Sequence, residues 1–120
     1  VKDKIQIVLE KAFGYTSFRK GQEEIVKSIL HKNNTLGVLP TGGGKSLCYQ
    51  IPAIIKKGTT IVVSPLISLM KDQVNELNSS GISATTINSS MSNKEINDEL
   101  LKIREGRIKL LYVSPERLLL

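Results

Sequence analysis

Apolar positions along the chain change their period several times, and each change marks an element. Ile5, Val8, Leu9 and Ala12 recur at the spacing of one helix face and stop at Gly14. Ile25, Val26, Ile29 and Leu30 repeat that pattern between Gly21 and Asn33-Asn34. The short apolar run Thr35 to Leu39, closed by Pro40 and a glycine cluster, predicts a strand. Leu47 to Ile55 predicts a helix that Pro52 kinks or shortens, because proline lacks an amide hydrogen and crowds the preceding turn. Thr59 to Val63, β-branched and set between Gly58 and Pro65, predicts a second strand.

The second half continues the alternation. Met70, Val74 and Leu77 predict a helix capped by Ser68 and stopped at Ser79-Ser80-Gly81. Ile82 to Ile87 predicts a short, polar-leaning strand. Ser92 and Glu95 stand at capping-box spacing, and Ile96, Leu100 and Ile103 carry the following helix to Gly106. Ile108 to Val113 predicts the last strand. Strands of this near-continuous apolar kind, alternating with helices, indicate a parallel sheet covered by helices, an α/β class. No linker, repeat or low-complexity segment interrupts residues 1–120, which are read as one domain.

Composition narrows this picture only slightly. A chain of 120 residues can bury roughly two-thirds of its unfolded surface in one core. No apolar run approaches the ~20 residues of a bilayer span, and Val1-Lys2-Asp3-Lys4 opens an amphipathic pattern rather than a signal peptide. No membrane partner is expected. The single cysteine, Cys48, excludes an internal disulfide and a multi-cysteine zinc site, and suits a reducing cytoplasm. It reads as a small buried apolar residue. A net charge of +6 fits a polyanionic partner without demanding one. Lys102, Arg104, Arg107 and Lys109 read as a solvated face before a nucleic-acid patch. His31 lies at a predicted helix end, where it favours the dipole, with no second metal ligand nearby.

The sharpest chemical signal is Leu39-Pro40-Thr41-Gly42-Gly43-Gly44-Lys45-Ser46. A glycine-rich turn after a strand and before a helix points backbone N–H groups inward at phosphate oxygens, and bulky side chains would block that approach. Gly42, Gly43 and Gly44 meet the requirement. Lys45 brings a cation to the β- and γ-phosphates, and the Ser46 hydroxyl can ligate Mg²⁺. Leu39 stands where the strict P-loop consensus has glycine, so the match is a variant. The signal identifies nucleoside-triphosphate binding, not a reaction. The acid that would hold Mg²⁺ and orient water is not among these residues. Asp98-Glu99 lies inside a capped helix, and the strand Leu110 to Val113 runs into Ser114-Pro115-Glu116.

Leu39 to Ala53 resembles motif I of the RecQ family of DNA helicases. Phe13 to Gln22 is similar to that family's adenine-reading motif 0, Val62 to Gln73 to motif Ia, and Leu111 to Leu118 to motif Ib. The four segments agree in order and spacing and cover nearly the whole chain. The resemblance implies a P-loop NTPase fold, a RecA-like parallel sheet flanked by helices, incomplete because the strands after motif Ib are absent. It implies ATP and Mg²⁺ as cofactors. Tyr15 and Arg19 would pack on adenine and Gln22 would hydrogen-bond its edge; Thr41, Gly42, Gly43, Gly44, Lys45 and Ser46 would hold the phosphates. Read without the family, Tyr15 and Phe18 are packing aromatics and Gln22 a surface polar residue. The resemblance reverses this for Tyr15, Arg19 and Gln22, and leaves Phe18 as packing.

Ser64, Ser68, Lys71, Ser114 and Arg117 correspond to residues of the family's single-strand track, and DNA, single-stranded or partly duplex, is the implied partner. Each Ser-Pro could equally end a strand and cap the next helix. Capping and phosphate contact use the same backbone geometry, so sequence does not separate them. The family's fold inserts later strands beside the cradle strand, so Thr35 to Leu39 would lack its central neighbours. The chain alone is then expected to be marginally stable or to self-associate.

The leading reading is therefore part of the motor of an ATP-dependent DNA helicase acting 3′ to 5′ in repair and recombination. A nucleotide- or nucleic-acid-binding module without turnover is the second. A P-loop kinase of small metabolites is disfavoured, since no arginine-rich lid segment is present.

Overall fold

In a computed structural model of the chain, residues 2–40, 42 and 44–118 are described. The chain divides into two compact units, Val1–Lys57 and Gly58–Leu120.

The first unit holds three helices, α1 (Lys2–Phe13), α2 (Gln22–Leu30) and α3 (Lys45–Ile55). Their apolar stripes meet in a cluster of Ile5 and Leu9 from α1, Val26 from α2, and Leu47 and Ile51 from α3. Each such aliphatic side chain contributes about 1.5–3 kcal/mol by leaving water. Phe13 and Phe18 pack at the margin of this cluster, which gives Phe18 its expected packing role. Gly14 ends α1 with a φ of 75°, a left-handed turn that glycine adopts without steric cost. α3 runs three residues beyond Pro52 before stopping at Ile55, so the proline does not end the helix where it stands.

Thr35 to Leu39 is not a strand. Gly37 lies against Ile25 of α2, where an added Cβ would come within 2.8 Å of the Ile25 side chain. Leu36 and Val38 turn outward, 90% and 82% exposed. Among the described residues no strand pairs with this segment, whose residues 35–38 are all exposed. β character read from composition is realised only where a ladder partner exists.

The second unit is α/β. Strands β1 (Thr60–Val63), β2 (Ala84–Ile87) and β3 (Leu110–Val113) form a parallel sheet in the order β1-β3-β2, with helices α4 (Ile67–Ser79), α5 (Asn93–Arg104) and α6 (Pro115–Leu118) following them. β3 is central and buried along its whole length. α5 covers one face through Ile96, with Leu100 and Ile103 beside it, over Ile87, Leu111 and Val113. Met70, Val74 and Leu77 form the buried stripe of α4. The last two strands begin two residues later than the apolar runs suggest, at Ala84 and Leu110, and the Lys109 N–H to Ser83 carbonyl bond joins the residues just before them.

The capping box is present as predicted: the Ser92 hydroxyl accepts from the Glu95 N–H, and the Glu95 carboxylate from the Ser92 N–H. Ser68 is not a cap. Leu66 is the N-cap of α4, Ser68 lies in its first turn, and the Ser64 hydroxyl accepts from the Leu66 N–H at 3.2 Å. The helix therefore starts two residues earlier than the serine spacing suggested, directly after Pro65.

Candidate functional site

Among the described residues, α3 begins without a side-chain cap or a first-turn acid, the devices that ordinarily satisfy a helix start. Its N-cap is Gly44, with φ 76° and no side chain to cap the helix, and its first turn carries no acid. The first N–H groups of a helix are orphan donors, and the aligned peptide dipoles make that end positive. α2 also starts at an uncapped glycine, but Glu23 and Glu24 stand in its first turn. α5 has its capping box, and α6 has Glu116. The start of α3 is therefore prepared for an anion from outside. Lys45 is exposed there and Ser46 is half-buried, the next two residues of the helix. Thr41 and Gly43 lie outside the described residues.

The predicted adenine-reading residues reach the same turn. Gln22, only 3% exposed, accepts the Arg19 N–H at 2.7 Å through Oε1 and donates to the Gly44 carbonyl at 3.1 Å through Nε2. These two bonds fix the plane of the amide. The Arg19 guanidinium donates to the Gly42 carbonyl at 2.5 Å. The unit thus brings Arg19, Gln22, Gly42 and Gly44 together, although 20 or more residues separate the two segments. Tyr15 is exposed just after the glycine that ends α1, and its N–H donates to the Leu9 carbonyl. Cys48, one turn into α3, is buried beside the Gly44 carbonyl, and burial raises its thiol above the usual range.

Metal chemistry is supplied sparsely. Among the described residues no group of three His, Cys, Asp or Glu side chains could hold an ion. The Ser46 hydroxyl offers one hard oxygen, so Mg²⁺ would need phosphate oxygens and water for the remainder of its shell.

In the second unit, Ser64, Ser68 and Lys71 lie at the start of α4, which also lacks both a side-chain cap and an acid in its first turn. Ser68 and Lys71 are exposed and Ser64 is half-buried. Ser114 is 1% exposed, and its hydroxyl accepts the Arg117 N–H at 3.4 Å across the first turn of α6. Its side chain serves the turn, while Arg117 remains half-exposed beside it.

A profile of the DEAD/DEAH box helicases matches residues 19–120. The chain belongs to the DEAD/DEAH box helicase family. Within the family it is similar to ATP-dependent DNA helicase RecQ of Bacillus subtilis (strain 168), 54% identical over 94% of this chain and 19% of that protein. It is similar also to ATP-dependent DNA helicase RecQ of Haemophilus influenzae, 53% identical over 93% of this chain and 18% of the relative. ATP-dependent DNA helicase Q-like 5 of Arabidopsis thaliana is 54% identical over 93% of the chain and 12% of its own length. The resemblance to RecQ helicases drawn from the motifs is borne out, as is the α/β class with a parallel sheet. The chain spans about a fifth or less of the length of these curated relatives.

Two features escaped the sequence reading. The Thr85 hydroxyl donates to Glu99 at 2.6 Å, and Glu99 pairs with Lys102 at 3.0 Å, so the residue read as a misplaced acidic motif ties α5 to β2. Asn88 is buried at the end of β2, signalled in sequence only by a polar residue closing an apolar run.

Proposed function

We propose that this chain is the ATP-binding part of the motor of an ATP-dependent DNA helicase that translocates 3′ to 5′ in repair and recombination. One observation carries the reading: the buried Gln22 amide joins the Arg19 backbone to Gly44, the N-cap of an uncapped, acid-free helix. A base-reading amide and a phosphate-binding turn thereby share one hydrogen-bonded frame. Tyr15 and Arg19 offer an aromatic and a guanidinium plane to adenine, Gln22 its paired donor and acceptor, and Gly42, Gly44 and the first N–H groups of α3 their donors to phosphate. Thr41 and Gly43 complete the same loop in sequence. Lys45 places its cation at the β/γ-phosphates, and Ser46 would hold Mg²⁺, which when bound supplies charge neutralisation of the developing phosphate charge. The matches to proteins named ATP-dependent DNA helicase support ATP and DNA as ligands.

Ser64, Ser68, Lys71 and Arg117 would meet the DNA backbone, with Ser114 holding Arg117 in place from within the turn. Both proposed anion sites coincide with the acid-free helix starts, those of α3 and α4. A cytoplasmic location accompanies the reading, supported by the single free thiol of Cys48.

The test is nucleotide preference. The unaltered chain should bind ATP in preference to GTP, and Gln22→Ala should reduce that preference by about tenfold, the scale of one buried hydrogen-bond pair. Equal binding of ATP and GTP by both proteins would remove the adenine assignment. A protein of the relatives' length bearing this chain should show ATPase activity stimulated by single-stranded DNA and unwind duplexes with a 3′ tail. ATP binding there without stimulated turnover would favour the second reading, a binding module.

A further inference from the structure

Residues 19–25 and 37–44 of the first unit touch through two polar and two apolar contacts. The polar ones join Arg19 to Gly42 and Gln22 to Gly44. The apolar ones are reciprocal. A Cβ added to Gly21 would come 3.0 Å from the Leu39 Cδ2, and one added to Gly37 would come 2.8 Å from the Ile25 Cδ1. Each segment thus presents a glycine to an aliphatic side chain of the other. Gly21, with φ 89°, is the N-cap of α2, and Gln22 is the first residue of that helix. Leu39 therefore bears on the backbone that carries Gln22. Leu39 also stands where the strict P-loop consensus has glycine, and a glycine there would forfeit the contact.

We propose that Leu39, together with Ile25, is a positioning residue for base selection, setting the offset between the Gln22 amide and the phosphate turn. The inference rests on the reading that Gln22 selects adenine. The base and the phosphates of one nucleotide are joined through a single ribose. An amide can therefore choose between bases only while it is held at a fixed offset from the phosphate anchor, to within about 0.5 Å. The hydrogen bonds of Gln22 fix the plane of its amide. The interlocked pairs fix where that amide starts, because close-packed side chains transmit displacement rather than absorb it. Leu39 and Ile25 are both half-buried, so each fills its glycine gap from one side. Packing that served stability alone would give the same contacts, but its loss would not change which base is preferred.

The experiment measures the affinities of the 120-residue chain and its variants for ATP, GTP and inorganic tripolyphosphate by calorimetric titration. Leu39→Ala should reduce the preference for ATP over GTP about fivefold, while tripolyphosphate affinity changes less than about twofold. Leu39→Met, which keeps the side-chain volume, should retain the preference. Ile25→Val removes the Cδ1 that lies over Gly37 and disturbs folding least; it should reduce the preference about twofold. In a Gln22→Ala background, Leu39→Ala should change the preference no further, since the group it positions is gone. An unchanged preference in Leu39→Ala and Ile25→Val, in a chain that itself prefers ATP, would overturn the positioning role and leave the adenine reading standing. Equal loss of all three ligands in those variants would also overturn it, assigning both side chains to stability. No preference for ATP in the unaltered chain would overturn the adenine reading and this inference with it.

Discussion

The Gln22 Nε2 donates to the carbonyl of Gly44 at 3.1 Å, and an added Cβ on Gly44 would lie 2.4 Å from that same nitrogen. Two constraints therefore meet at one glycine: a left-handed φ of 76° and contact with a buried amide. Gly44→Ala should destabilise the chain by about 1–2 kcal/mol from the backbone alone. It should also displace Gln22 and cost ATP affinity. Thermal unfolding and nucleotide titration measure the two losses. Gly81→Ala is a control, since φ there is 82° and nothing lies within 4 Å of the added carbon. Stability loss at both sites with affinity loss only at Gly44 is the expected pattern.

Lys45 is exposed at the start of α3, and Lys45→Ala should leave the melting temperature within about 2 °C of the unaltered chain, as for most surface changes. ATP binding should fall by at least about tenfold, because the cation for the terminal phosphates is gone. A large loss of stability with unchanged affinity would assign Lys45 to packing instead.

The capping box makes α5 sensitive to acid. The Ser92 backbone N–H, with its hydroxyl, holds the Glu95 carboxyl below the usual glutamate range. Burial raises the Glu99 carboxyl, but Thr85, Lys102 and Arg107 together outweigh it and its net shift is also downward. A carboxylate whose folded pKa is depressed binds fewer protons folded than unfolded, so its contribution is present above the unfolded value and lost as pH falls through the folded one. Stability should therefore decline below roughly pH 4. Glu95→Gln combined with Glu99→Gln should flatten that decline, read as the melting midpoint between about pH 3 and 6. An unchanged slope would remove these two groups as its source.

Leu36 and Val38 stand exposed on a segment that pairs with no strand among the described residues. The chain by itself should associate or melt with low cooperativity, and Leu36→Lys with Val38→Lys should shift sedimentation toward the monomer. A cooperative, monomeric transition of the unaltered chain at micromolar concentration would contradict the expectation.

The local signals were decisive where one stretch of chain determines its own structure. Glycines stop α1 and open α3, Ser92 with Glu95 starts α5, and the short apolar runs give β1, β2 and β3. The phosphate turn was legible for the same reason, since its glycines, Lys45 and Ser46 act within eight residues. What the sequence could not determine was partnership across distance. The run Thr35 to Leu39 has strand composition, yet its backbone finds no ladder among the described residues, and a strand exists only as a pair. The order β1-β3-β2 places Asn88 in line with Ser64 and Ser114, and no spacing in the chain specifies that order. The Gln22 amide meeting Gly44, and Thr85 meeting Glu99, likewise depend on how helices and strands pack. Short-range sterics and hydrogen bonding write elements into sequence; burial and long-range pairing decide which of those elements meet.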